Sequence, residues 1–142
     1  MIAIGCDHGG YELKEMIKVH LEKCNIEVKD YGCYDKSAVD YPVQGKLVAN
    51  SVASGESEKG IVICTTGIGI SISANKVKGV RAALCESTFS AKMTRLHNNA
   101  NVLALGAGIV GGALAIEIVD TFINTEFSNE ERHARRVDMI EE

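Results

Sequence analysis

Cys64 stands between a run of apolar residues and the loop Thr65-Thr66-Gly67-Ile68-Gly69, a setting in which a thiol can work as a base or a nucleophile. The run Gly60 to Cys64 is apolar throughout, which suits a central parallel strand covered on both faces. The loop after it opens a helix, where free backbone N–H groups and the helix dipole favour negative charge. That favours the thiolate, the form that takes a proton or attacks carbon. The alternative is a buried apolar filler, and position alone does not separate the two. A cysteine-phosphatase loop needs an arginine six residues after the cysteine, where Ile70 stands. Gly67-x-Gly69-x-x-Ile72, with Glu86 further on, partly imitates a dinucleotide fingerprint, but the third glycine is missing and the loop follows the third strand. The same backbone donors and the Thr66 hydroxyl suit the oxyanion of an enediolate equally well.

Other groups carry weaker signals. Asp7-His8 follows the first apolar run, and a capping Asp beside a surface His explains it as well as chemistry does. His97 ends a helix whose expected inner face is Phe89, Met93 and Leu96, so the helix dipole alone would favour it there. His20 falls on an apolar stripe, where packing or an interface accounts for it. Arg132 and Arg136 are one helical turn apart and can fork a single phosphate. The acidic residues around them, Glu130, Glu131 and Asp138 among them, make a solvated salt-bridged face the competing account.

These residues need a frame. A chain of 142 residues supports one domain, 1–142, with a real core. Its net charge of -4 offers no basic surface for nucleic acid, so a bound phosphate should be a single one, gripped locally. The five cysteines are odd in number and form no C-x-x-C pair, which reads as reduced thiols in the cytoplasm and no zinc site. The apolar start, Met1 to Ile4, meets Asp7 too early for a signal peptide, and the longest uncharged run, Val102 to Ile116, is too short and glycine-rich for a membrane span.

Ile2 to Gly5, Ile26 to Tyr31, Gly60 to Cys64, Arg81 to Cys85 and Val102 to Gly106 read as five strands. Helical spacing fills the intervals. The first helix should bury Leu13, Met16, Ile17, Leu21 and Cys24 and turn Lys14 to solvent, and the second, with Pro42 in its first turn, should bury Val43, Leu47, Val48 and Val52. Gly67 to Lys76 predicts a third helix, Ser87 caps a fourth, and Gly111 to Asn124 and Asn129 onward complete the set. Strict alternation implies a three-layer α/β Rossmann-like (flavodoxin-like) domain, a five-stranded parallel sheet with helices on both faces and a C-terminal helix. The flavodoxin-like order 2-1-3-4-5 then opens a crevice between the first and third strands, where Asp7-His8 faces Cys64.

Gly5-Cys6-Asp7-His8-Gly9-Gly10, Asp40-Tyr41-Pro42, Cys64 through Lys76, His97-Asn98 and Arg132-His133 with Arg136 together resemble the ribose-5-phosphate isomerase B family over essentially the whole chain. The resemblance implies an aldose–ketose isomerase of ribose 5-phosphate and ribulose 5-phosphate, acting through an enediol(ate) with no metal or organic cofactor. It implies Cys64 as the base, His97 as the group that opens the sugar ring, and Thr66 and Asp7 as further catalytic groups. Asp7, His8 and Tyr41 would contact substrate, Thr65, Thr66, Gly67, Ile68 and Gly69 would bind the oxyanion, Asn98 a sugar hydroxyl, and Arg132 and Arg136 the phosphate. Two positions depart from the family pattern: Thr65, where glycine is usual, and Gly108, where many members carry arginine. Relatives in the family act on 6-phosphates of allose or galactose, so the preferred sugar stays open. A flavodoxin-like nucleotide- or flavin-binding module and a non-catalytic sugar-phosphate sensor are the readings of other classes.

Sheet geometry adds an expectation. Cys64 should lie at the carboxyl edge and His97, which precedes the fifth strand, at the opposite edge. If both act on one sugar, a partner subunit must deliver His97 and Asn98, so the chain should form a homodimer with shared sites. Whether dimers pair into a tetramer is open.

Overall fold

The sheet is built outward from its most apolar segment. In the computed structural model, which describes all residues from Met1 to Glu142, that segment is β3 (Lys59–Cys64). It lies between β1 (Ile2–Cys6) and β5 (Val102–Gly106), and all three are buried nearly end to end. The short strands β2 (Val28–Asp30) and β4 (Ala82–Leu84), only partly buried, close the two edges. All pairs are parallel, in the order β2-β1-β3-β5-β4.

The expected order 2-1-3-4-5 is therefore corrected on one side: the fifth strand, not the fourth, pairs with β3. Burial explains the exchange, because Val102 to Leu105 is fully buried whereas every residue of β4 stays partly exposed. The switch between β1 and β3 is unaffected.

Helices α1 (Tyr11–Lys23), α4 (Thr88–Asn98) and α5 (Gly112–Asn124) supply the core on one face, and α2 (Tyr41–Ala53) and α3 (Ile68–Ala74) supply it on the other. The C-terminal α6 (Glu131–Glu141) packs beside α4. Pro42 sits in the first turn of α2, where its missing N–H costs nothing, and the Ser87 hydroxyl accepts from the Ser90 N–H at 3.1 Å to start α4.

Three helix faces differ from the expected ones. In α1, Met16 and Cys24 are exposed while Lys14 is fully buried. In α2, Gly45 and Ala49 join Val48 and Val52 inside, and Val43 and Leu47 point outward. In α4, Ala91 and Arg95 are buried and Phe89 is exposed. Arg95 is admitted because its guanidinium donates to the carbonyls of Thr125 and Ala100 and lies 5.7 Å from the centre of the Phe122 ring.

Lys14 is admitted on similar terms. Its Nζ donates to both carboxylate oxygens of Asp30, at 2.8 and 2.7 Å, and to the carbonyl of Cys33. Burial alone would raise the Asp30 pKa, but hydrogen bonds from Lys14, Lys18 and the Gly32 N–H outweigh it and hold the carboxyl below its ordinary value. The cluster ties α1 to the segment between β2 and α2, whose Val39 N–H reaches back to His8 Nδ1 at 3.3 Å. Lys14→Met should destabilise the fold by about 3 kcal/mol, because a largely desolvated carboxylate keeps only Lys18 as its charged partner. Since the folded-state pKa of Asp30 is depressed, its contribution is complete above the unfolded carboxylate value and is lost as pH falls through the folded one. Denaturant titrations should accordingly show wild type and Lys14→Met converging in acid, and a pH-independent gap would remove Asp30 from the account.

Candidate active site

Cys64 ends β3 and is 5% exposed. Its Sγ lies 3.1 Å from the backbone nitrogen of Gly67, which donates to it. A thiolate here would gain a charge-assisted bond from a fixed dipole. Elsewhere in the core, burial and the adjacent Cys33 push Cys6 up to about 12, and burial pushes Cys85 up to about 11, so both keep their protons.

The turn of the loop depends on Gly67. Its φ is +76°, and a Cβ there would lie 2.5 Å from Leu84 Cδ1 and 2.8 Å from the carbonyl carbon of Leu105. Backbone shape and close packing account for this glycine without a nucleotide, and its N–H is engaged by Cys64. The Ile68 N–H is engaged by Thr66 Oγ1 at 3.2 Å. The amides of Thr65, Thr66 and Gly69 make no hydrogen bond within the chain, which leaves them as loop donors open to a ligand. Gly69 gives room for Tyr41: a Cβ on it would fall 2.5 and 2.6 Å from two atoms of the Tyr41 ring, which therefore lies against the loop from the start of α2.

Across the crevice, Asp7 Oδ1 accepts from the N–H groups of Gly9 and Gly10 at 2.9 and 3.2 Å, shaping the short 3-10 turn His8–Gly10. Its Oδ2 takes part in neither bond. His8 is exposed, and the bond its Nδ1 accepts from Val39 leaves Nε2 as the protonated nitrogen of the neutral ring. The carboxyl edge thus gathers Asp7, His8, Tyr41, Cys64, Thr65, Thr66, Ile68 and Gly69. None of these is a lysine or an arginine.

His97 and Asn98 stand elsewhere. They end α4 beside the starts of β4 and β5, where Arg81 donates to the carbonyls of Asn98 and Asn99. One strand length, roughly 13 Å at about 3.3 Å per residue, separates that edge from Cys64. His97, Asn98, Arg132, His133 and Arg136 instead line one cavity of about 370 Å³. Arg132 is tied to Glu130 at 3.1 Å, a partial realisation of the salt-bridged face. A larger cavity of about 640 Å³ next to it, lined by residues 75–83 together with Thr94, Asn98 and Glu141, shares Asn98 and Ile140 with it.

Sequence patterns alone gave His133 no role. It is the one buried histidine, its ring centre is 4.4 Å from that of His97, and its Nδ1 lies 2.8 Å from Ser128 Oγ. Burial, and then His97, hold its pKa below the ordinary histidine value, so it braces His97 as a neutral ring. Gln44, on the first turn of α2, keeps a buried Oε1 without a partner, and no motif pointed to it. No three or more His, Cys, Asp or Glu side chains gather as a metal site, and no helix is long and apolar enough to cross a membrane.

A doubly wound parallel sheet with a donor-backed thiol at its switch point defines a class of α/β proteins whose ligands sit over the strand ends. Within that class, the chain belongs to the Ribose/Galactose Isomerase family, whose profile matches residues 2–140. The ribose-5-phosphate isomerase B structure from Clostridium thermocellum is 54% identical, with a TM-score of 0.97 over 99% of this chain and 94% of its own. Ribose-5-phosphate isomerase B of Escherichia coli is 46% identical over 139 residues, covering 98% of this chain and 93% of that protein. The galactose-6-phosphate isomerase subunit LacB of Clostridium acetobutylicum is 40% identical over 142 residues, covering all of this chain and 82% of LacB.

Proposed function

We propose that the protein is an aldose–ketose isomerase that interconverts ribose 5-phosphate and ribulose 5-phosphate in the cytoplasm. The observation that carries the reading is Cys64 at the switch point with the Gly67 N–H on its sulfur, in a chain 46% identical to a ribose-5-phosphate isomerase B over nearly its whole length. In this mechanism the Cys64 thiolate removes the C2 proton of the open-chain aldose. The electron pair moves to the carbonyl oxygen, and the Thr65 and Thr66 amides with the Thr66 hydroxyl stabilise the enediolate. A proton passes from the C2 hydroxyl to the C1 oxygen, Cys64 returns its proton to C1 as C2 becomes the carbonyl, and the ketose leaves a regenerated thiolate. Asp7, His8 and Tyr41 hold the sugar against the loop.

His97 moves the proton that opens the furanose ring, Asn98 holds a hydroxyl, and Arg132 and Arg136 neutralise the phosphate. Because this cationic group and the Cys64 loop occupy opposite sheet edges, each working site takes one group from each subunit of a homodimer. Tyr41, Val43 and Leu47 on α2 and Ile68 and Ile72 on the adjoining α3 leave apolar surface uncovered beside the Cys64 loop, which supports a second copy docking there.

The test is conversion of ribose 5-phosphate to the ketose by purified protein in the presence of chelator, with proton exchange at C2 followed in heavy water. Turnover with exchange is expected. Tight binding without exchange would make the protein a sensor, and no turnover would end the isomerase reading.

A further inference from the structure

Thr65 is held in a setting that none of the catalytic roles uses. Its backbone amide faces the ligand crevice, yet its side chain lies along the carboxyl edge of the sheet, between the turn after β1 and the loop after β5. On one side, a Cβ built on Gly9 would overlap the Thr65 hydroxyl outright. On the other, a Cβ built on Gly108 would fall 3.2 Å from the Thr65 γ-methyl and 3.1 Å from its carbonyl oxygen, and the Gly108 N–H donates to that carbonyl at 2.8 Å. Gly9 and Gly108 are thus the bare backbone on which the threonine rests. The hydroxyl makes no hydrogen bond within the chain, and the residue stays exposed at the crevice mouth.

We propose that the Thr65 side chain is a specificity-determining bar: wedged between Gly9 and Gly108, it shortens the space over the Cys64 loop and selects the pentose phosphate against the longer hexose 6-phosphates. The inference rests on the isomerase reading above. Its physical basis is volume. A side chain seated against backbone on both sides resists displacement, so a sugar one carbon longer, anchored by C2 at Cys64 and by its phosphate at Arg132 and Arg136, must bow over the loop against the threonine. A pocket discriminates one such carbon by roughly tenfold or more. The strand order is what makes the bar possible, since Gly108 reaches Thr65 only because β5 lies directly beside β3.

The experiment compares ribose 5-phosphate with galactose 6-phosphate for wild type, Thr65→Gly, Thr65→Ala and Thr65→Val, as kcat/KM where the hexose turns over and as Ki against ribose 5-phosphate where it does not. Thr65→Gly and Thr65→Ala should each raise the hexose-to-pentose ratio about tenfold, while Thr65→Val, of the same shape, should hold the wild-type ratio. Gly108→Ala should lose at least threefold in kcat/KM alone and recover in the Thr65→Gly background, with melting temperatures showing that both proteins are folded. A ratio within twofold of wild type in both shortened variants overturns the bar, and so does a Thr65→Val shift as large as that of Thr65→Gly, which would assign the effect to the hydroxyl. Absence of turnover in the wild type defeats the isomerase reading and this inference with it, whereas an active enzyme with unchanged ratios defeats this inference alone.

Discussion

Cys64→Ala should lower isomerase turnover by about 10²–10⁴, the usual cost of removing a general base. The reason is local and complete: the Cβ of alanine cannot reach the C2 proton, and the loop holds no second group in its place. The loop's own side chains with an exchangeable proton are the hydroxyls of Thr65 and Thr66, which are far too weakly basic to replace a thiolate, and Thr66 Oγ1 is already engaged as acceptor for the Ile68 N–H. The fold should survive, since the substitution removes one sulfur and leaves a single backbone donor, that of Gly67, without its partner. Initial-rate assays with a melting curve on the same preparation provide the measurement. Cys24→Ala, at an exposed cysteine on the far end of α1, should retain wild-type rates. An effect of only twofold for Cys64→Ala would take the base away from this residue.

Mixing inactive Cys64→Ala with inactive His97→Ala protein should restore up to about a quarter of wild-type activity once subunits exchange. A mixed dimer has one site that combines both intact groups and one that lacks both, so half the sites in half the dimers recover. Recovery follows from the observed separation alone, with Cys64 closing β3 at one edge and His97 in the last turn of α4 at the other. A mixture shown by mass spectrometry to contain mixed dimers, yet inactive, would place both groups in one chain's site.

Much of the fold was legible because it is written in local periodicity. The core strands and every helix appear at or within a few residues of their expected places, since a run such as Val102 to Gly106 is stable only when buried and Ser87 is of a type favoured at helix starts. The failures are those of long-range pairing. Lys14 reads as solvent-facing by its charge, and only Asp30 and the Cys33 carbonyl, distant in the chain, make its burial tolerable. Phe89 reads as core by its type, yet α4 turns Ala91 and Arg95 inward because carbonyls from two other segments await the guanidinium.

By itself, the sequence determined the α/β class, the chemistry available to the Cys64 loop and the edge of the sheet on which each candidate group lies. These follow from residue type and from the direction of parallel strands, which local order is enough to specify. Tertiary structure alone decided which strand lies beside β3, and through it that Thr65 rests against Gly108. It alone brought His133 against His97. Both depend on contacts between segments far apart in the chain, whose choice is made by competition for burial and not by any pattern a short window contains.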